Sequence, residues 1–363
     1  MTYQAGVIGA GRIGQIHADM YRNVAGIELA ALAEIDPDLL SERADQWDIG
    51  DENRYQDSND MLASENLDVV SVSTPSAFHY EPVIAAARSE ANPGVIFCEK
   101  PAANSPAEAY EMAQVCEAAG TELVVDHTLR FSETFGSLRR LLQEEQIIGD
   151  IQSVQIHASG SLMRLGTHYV DLLLYLLGSK PVGVRGGYLV EADDIDDDFD
   201  DCAGAGTIVF DDGTVTMLDE TRSNPVANSL LLVGTEGMIS ARGSDTSSIY
   251  SRTFEWRYWE VDDREHVEQE FPESLEQCWE RDMNVNTSGF DSDAGMYGAQ
   301  RMFNEVAEHI VALLDGEQAN RSSGHVAAEV VETLAAIFLS HDTGSHVGLP
   351  LSDRLRSVRI RSE

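Results

Sequence analysis

Short apolar runs alternate with amphipathic stretches along the first third of the chain. Residues 5–9, 27–33, 67–73, 95–98 and 122–125 read as strands, and 13–24, 38–47, 82–88 and 107–118 read as helices. The strand-like runs are apolar at nearly every position, the pattern of strands buried on both faces. Strands and helices alternating at this spacing predict a doubly wound parallel sheet, an α/β architecture.

The texture changes after residue 125. Residues 135–145 form an amphipathic helical pattern, and 151–159 alternate with period two. Residues 167–177 read as a helix, with Thr167 expected as its N-cap and Gly178 just past its end. The runs 182–190, 203–210, 214–221, 229–234 and 238–242 follow, separated by short Gly- and Asp-containing turns. Consecutive strands with short turns predict a mostly antiparallel sheet rather than further βαβ units. Residues 272–296 read as irregular, and 298–314 and 325–341 as closing helices. The expected division is an α/β domain over 1–125 and an α+β domain over 126–363, as befits a chain too long for one ordinary core.

Charge sharpens the picture. The 363 residues carry a formal net charge of −39, with two lysines (Lys100 and Lys180) against 22 arginines. Such a chain self-repels in dilute buffer, whereas at molar salt the screening length falls to roughly 3 Å. The composition therefore reads as that of a cytoplasmic protein from a salt-accumulating halophile. It argues against nucleic acid or an anionic membrane as partner, since both need a basic footprint. Cys98, Cys116, Cys202 and Cys278 show no metal-ligand spacing, and the acidic run 193–201 lacks the regular spacing of a calcium loop, so no metal is expected. No leader peptide or membrane span is read from the pattern.

Gly9-Ala10-Gly11-Arg12-Ile13-Gly14 supplies G-x-G-x-x-G between the first strand and the first helix. The glycines allow a tight turn and close approach of a pyrophosphate, which then rests on the helix N-terminus, so the first domain is expected to be a Rossmann domain. Glu34, at the end of the second strand, is expected to bind ribose hydroxyls, with Asp36 as the alternative acid. Either carboxylate repels a 2′-phosphate, and the apolar Ile35 offers no clamp for one, so NAD is favoured over NADP.

Three further segments accompany this fingerprint. Ser73-Thr74-Pro75-Ser76-Ala77-Phe78-His79 follows the third strand, Glu99-Lys100-Pro101 follows the fourth, and Gly166-Thr167-His168-Tyr169-Val170-Asp171 opens a helix. Together they resemble the glucose-fructose oxidoreductase, inositol dehydrogenase and rhizopine-catabolism (Gfo/Idh/MocA) family. The resemblance runs nearly end to end, including Val347-Gly348-Leu349-Pro350-Leu351. It implies a Rossmann domain followed by an α+β domain whose large open sheet packs on a partner subunit, hence a homo-dimer or homo-tetramer. It also implies a nicotinamide facing a sugar, polyol or related secondary alcohol. Lys100 would contact the reacting hydroxyl, His168 would act as general acid/base, and Asp171 would support the His168 helix. Thr74, Pro75, His79 and Glu99 would line the nucleotide side.

The chemistry is sound on its own terms. Hydride removal from a carbinol carbon requires the hydroxyl proton to leave, which suits an imidazole, while an ammonium stabilises the alkoxide-like oxygen. One position departs from the pattern: many relatives carry an acid four residues before the histidine, where this chain has Arg164. A guanidinium disfavours the imidazolium and offers a planar fork to a carboxylate or to hydroxyls, so an altered pocket is expected, with an outward-pointing, salt-adapted surface residue as the alternative. His127 and Arg130, in Val125-Asp126-His127-Thr128-Leu129-Arg130-Phe131, are further pocket candidates, although Arg130 could equally pair with an acid. The expected function is an NAD-dependent oxidoreductase acting on a sugar, polyol or sugar acid. Transient use of a retained NAD for elimination or hydrolysis is one alternative, and a non-catalytic nucleotide-responsive regulator is another.

Overall fold

The computed structural model describes residues 2–158, 160–188, 198–220, 229–243, 254–262, 265–272, 274–283 and 300–361. The chain forms two compact units, one of residues 1–128 with 303–331, the other of 129–302 with 332–361. The stretch 303–331 groups with the first unit. There Ser322 accepts the Val125 N–H through its carbonyl and donates its hydroxyl to the Val125 carbonyl.

The first unit holds a six-stranded parallel sheet. Its strands are β1 (Tyr3–Ile8), β2 (Ile27–Ala33), β3 (Arg54–Tyr55), β4 (Val69–Val72), β5 (Val95–Cys98) and β6 (Glu122–Val125), in the order β3-β2-β1-β4-β5-β6. The helices are α1 (Arg12–Asn23), α2 (Pro37–Gln46), α3 (Ser58–Ser64), α4 (Tyr80–Arg88) and α5 (Pro106–Ala119). Strands β4 and β5 are buried at every position, so β5 reads as an unbroken apolar run and β4 as one interrupted only by Ser71. Local signals start and stop the helices. Ser105 caps α5 by accepting the Glu108 N–H, Pro106 occupies its first turn, and Gly120 ends it at φ 73°. The strand order reverses between β1 and β4, where doubly wound sheets open a crevice at their carboxyl edge.

The second unit is built on a nine-stranded sheet. Its strands are β7 (Ile151–Ala158), β8 (Pro181–Tyr188), β10 (Gly204–Phe210), β11 (Val215–Glu220), β12 (Ser229–Gly234), β13 (Gly237–Gly243), β14 (Phe254–Asp262), β15 (Glu265–Gln269) and β16 (Val347–Gly348). The order is β15-β14-β13-β12-β7-β11-β10-β8-β16, with β7 and β11 parallel and the other pairs antiparallel. A separate parallel pair joins β9 (Asp198–Asp200) to β17 (Arg359–Arg361). Buried and half-exposed positions alternate strictly along β10 and β12, so one face of the sheet is covered and the other is open. Helices α6 (Glu133–Gln143), α7 (Thr167–Leu177) and α8 (Leu275–Met283) belong to this unit. Two further helices, α9 (Gln300–Leu314) and α10 (Gly324–Thr343), are divided between the units, and α11 (Asp353–Arg356) lies in the second.

Three differences from the sequence expectation stand out. Residues 275–283, expected to be irregular, form α8, with Leu275, Cys278 and Trp279 buried. The position that completes the apolar stripe is Asp282, a polar residue, which masked the helical period. Its carboxylate accepts from the backbone N–H groups of Glu133 and Thr134 and from the Ser132 and Thr134 hydroxyls, so it caps α6. Strands β14 and β15 extend the sheet. The alternation of aromatic and charged residues in Phe254–Asp262 is the signal that marks β14. Thr167 is not an N-cap: its φ −54° and ψ −40° are helical, because a π-helical turn over Leu162–Gly166 runs directly into α7. A capping residue needs extended backbone, and Ser161 supplies it at φ −115°, ψ 150°. Most of the acidic run 193–201, and residues 189–190 and 284–296, lie outside the described residues.

Candidate active site

In the first unit the glycine loop has a specific reason for each glycine. Gly9 sits at φ +99°, a conformation side chains resist, and a Cβ on Gly14 would lie 2.1 Å from the Gly9 carbonyl oxygen. A Cβ on Gly11 would meet nothing within 4 Å, so the loop presents an open backbone there. Helix α1 begins at this point with no side-chain cap and no acid in its first turn. Its first-turn amide groups and positive dipole end suit a pyrophosphate, so the residues present fit a dinucleotide. Arg12 is exposed and Ile13 half-buried beside the loop.

Glu34 is bound into this loop. One carboxylate oxygen accepts the Ala10 N–H at 2.7 Å and the other the Asp36 N–H at 3.0 Å. Asp36 instead caps α2, accepting from Asp38 and Leu39. Of the two acids considered for the ribose, Glu34 is therefore the one placed at the loop, next to the 85% exposed Ile35.

The carboxyl edge of the same sheet carries the segments after β4 and β5. Thr74 is half-buried and Pro75 exposed. His79 turns inward and is 1% exposed, with one ring nitrogen 2.8 Å from the Thr74 carbonyl and the other 2.9 Å from the Pro101 carbonyl. Burial lowers its pKa, against the pull of the two carbonyls. His79 thus ties the Thr74 loop to the Glu99-Lys100-Pro101 segment. Lys100 is half-buried, whereas Glu99 is buried against His17 and Asp126, and His127 is 1% exposed.

In the second unit His168 lies in the first turn of α7 and is 4% exposed. One turn later, Asp171 is fully buried and takes Arg130 Nε at 2.8 Å on both oxygens. The Arg130 guanidinium also lies over the Tyr175 ring, 5.2 Å from its centroid. Arg164, on the π-helical turn, has an exposed side chain.

Two acids escaped the sequence reading. Asp201 accepts the Ser161 hydroxyl at 2.6 Å and the N–H groups of Met163 and Arg164 at 2.8 and 3.0 Å, so it anchors the turn that carries Arg164. Its place at the end of an acidic run hid it among solvated charges. Glu220, at the end of β11, is fully buried, and a Cβ on Gly166 would lie 3.2 Å from its Oε1. A carboxylate closing an apolar strand was the available signal. A mostly apolar cavity elsewhere in this unit is lined by Phe135, Ile156, Leu172, Leu230 and Trp256, with His157, Tyr169 and Ser229 at its wall.

Residues 3–127 match the profile described as an oxidoreductase family with an NAD-binding Rossmann fold, and 153–349 match that family's C-terminal alpha/beta domain. The chain belongs to the Gfo/Idh/MocA oxidoreductase family. It is 27% identical over 238 residues to the myo-inositol 2-dehydrogenase of Thermotoga maritima, covering 60% of this chain and 68% of that protein. It is 28% identical over 196 residues to the D-glucoside 3-dehydrogenase of Escherichia coli, covering 48% and 54%. Levoglucosan dehydrogenase, solved with NADH and levoglucosan, superposes with a TM-score of 0.75 at 21% identity, covering 97% of this chain and all of the other. This family's members include sugar and polyol dehydrogenases, and residues 3–127 of this chain are its NAD-binding domain. Among the described residues no helix is long and apolar enough to cross a membrane.

Proposed function

We propose that this protein is an NAD-dependent oxidoreductase that interconverts a secondary alcohol and a ketone on a sugar, polyol or sugar acid. The observation that carries the reading is Lys100. One of only two lysines in the chain, it follows β5 at the carboxyl edge of the sheet that also bears the open glycine loop. When bound, the nicotinamide supplies the hydride acceptor or donor.

The chain's own residues account for the rest. Gly9, Gly11 and Gly14 shape the pyrophosphate loop, and Glu34 holds a carboxylate beside it that disfavours a 2′-phosphate. The Lys100 ammonium stabilises negative charge on the reacting oxygen, and His168 takes or returns its proton. The Asp171–Arg130 pair orients α7 and with it His168. Arg164 and His127 bind substrate polar groups, the guanidinium suiting a carboxylate. Glu220 adds a buried acceptor for a hydroxyl. The open sheet face, with Val215 and Met217 partly exposed on it, is covered by a second copy in a dimer or tetramer. The setting is a cytoplasm of molar salt.

The test is a panel of sugars, polyols and sugar acids with NAD or NADP in molar KCl, read by NADH absorbance. Lys100→Arg, which keeps the charge but cannot titrate in the working range, is the control. NADH formation on a member of the panel, strongly reduced in Lys100→Arg, is expected. A panel with no turnover, or full turnover in the variant, removes the reading.

A further inference from the structure

Directly behind Lys100 in the first unit lies a cluster of titratable groups that the reaction above does not use. His17, from α1, is fully buried, with Nδ1 2.8 Å from Ser71 Oγ on β4 and Nε2 3.2 Å from Glu99 Oε1. Tyr21 donates its hydroxyl to Ser71 Oγ at 3.2 Å. Asp126, just past β6, is 2% exposed, accepts the Thr128 hydroxyl at 2.9 Å and brings a carboxylate oxygen within 4.8 Å of Glu99. The Lys100 backbone N–H donates to Glu99 Oε2 at 3.2 Å. Cys98 on β5 and the Phe97 ring, 4.6 Å from the His17 ring, complete the surroundings.

The directions of these bonds fix where the protons are. Tyr21 donates to Ser71, so the Ser71 hydroxyl is free to donate to His17 Nδ1. A neutral imidazole then carries its single proton on Nε2 and donates it to Glu99. Glu99 already accepts from His17 and from the Lys100 N–H. Two carboxyl groups buried within 4.8 Å of each other do not both ionise readily. Glu99 is the one that meets two donors and adjoins Lys100, so the proton falls to Asp126.

Electrostatics agrees. Burial first, and then the Glu99 charge, hold Asp126 well above the usual carboxylate range. Glu99 is raised by burial, but Lys100 and the hydrogen bond from Asp126 oppose the rise. Burial lowers His17 to about 4, keeping it neutral, and raises the Tyr21 and Cys98 groups, so neither adds charge near neutral pH.

We propose that Asp126 is a permanently protonated carboxylic acid that donates to Glu99, and that with His17 it holds one negative charge and the Lys100 backbone in place for the reaction. Asp126 and His17 are positioning residues, acting through Glu99; their part in turnover rests on the proposed function, whereas the proton on Asp126 does not. The ligand-capable atoms of His17, Glu99 and Asp126 also lie within 4.8 Å of one another, so a divalent cation is the rival occupant. The donor chain from Tyr21 to Glu99 and the neighbouring lysine favour the proton, since they leave one carboxylate with one adjacent cation.

Difference infrared spectroscopy of the purified protein at neutral pH reads the proton directly. A protonated-carboxyl C=O band that shifts in D2O is expected in the wild type and absent from Asp126→Asn; no such difference overturns the proposal. A stoichiometric divalent metal, present in the wild type and lost in Asp126→Asn, also overturns it. In turnover, Asp126→Asn keeps a side-chain donor and should stay within about threefold of wild-type kcat, while Asp126→Ala should fall on the order of 10²-fold with KM little changed. Equal losses in the two variants refute the donor role. Should Asp126→Ala fail to fold, the spectrum and Asp126→Asn still decide. If no substrate turns over, the infrared result stands and only the proposed reaction fails.

Discussion

Arg130 Nε lies 2.8 Å from both carboxylate oxygens of Asp171, and the two side chains are 8% and 0% exposed. A buried pair of this kind adds little net stability, but removing one partner strands the other charge. Asp171→Asn or Arg130→Met should each destabilise the fold by about 3–5 kcal/mol, while Arg130→Met with Asp171→Leu should recover part of the loss. Denaturant unfolding in molar KCl measures all three. Single variants as stable as wild type would show that the pair does not hold α7.

The glycine loop separates folding from binding. Gly11→Ala places its methyl in open space, so the fold should be unaffected to within about 0.5 kcal/mol. NAD affinity should nevertheless fall about 10- to 100-fold, because the methyl stands where the pyrophosphate approaches. Gly14→Ala collides with the Gly9 carbonyl and should destabilise the protein itself by about 1–3 kcal/mol. Calorimetric NAD titration and thermal melts distinguish the two outcomes.

Acid stability follows from His17. Its pKa is about 4 in the fold against 6.5 when unfolded, so between those values the unfolded chain binds more protons. Stability from this group is complete above pH 6.5 and is lost as pH falls toward 4, by about 3 kcal/mol. Asp126 has the opposite sign: its raised pKa favours the fold at low pH and the contribution declines as pH rises above the unfolded value of 3.8. His17→Asn should flatten the acid limb of a stability–pH curve. An unchanged limb would assign the loss to other groups.

Asp201 anchors the turn bearing Arg164 through three hydrogen bonds. Asp201→Ala should cost about 1–2 kcal/mol and raise KM for an acidic substrate more than it lowers kcat. A variant with wild-type kinetics and lowered Tm would restrict Asp201 to a capping role.

The net charge of −39 makes ionic strength a structural variable. Lowering KCl from molar to about 0.1 M lengthens the screening distance to about 10 Å and should unfold the protein cooperatively. Circular dichroism across a salt series checks this, and full stability at the low end would remove the halophilic reading.

Much of the fold was legible because its signals are local. Fully buried strands such as Val95–Cys98 cannot look like anything but apolar runs, and Ser105, Pro106 and Gly120 announce both ends of α5. The elements that escaped are those whose pattern was broken for a distant partner. Asp282 interrupts the apolar stripe of α8 because it caps α6, and the π-helical turn before Thr167 depends on Asp201, some 40 residues away.

The same division holds for the site. Residue type and local spacing pointed to the glycine loop and to Glu34 or Asp36, whereas the expectations for Lys100 and His168 rest on the resemblance to the family. Only tertiary structure decided that Asp36 caps a helix, that His79 braces the Lys100 segment from within, and that Arg130 is held by Asp171. It alone brought His17, Glu99 and Asp126 together from three separate elements behind Lys100. Burial and hydrogen-bond direction determine the charge of such groups, and neither is a property of a residue until its neighbours are in place.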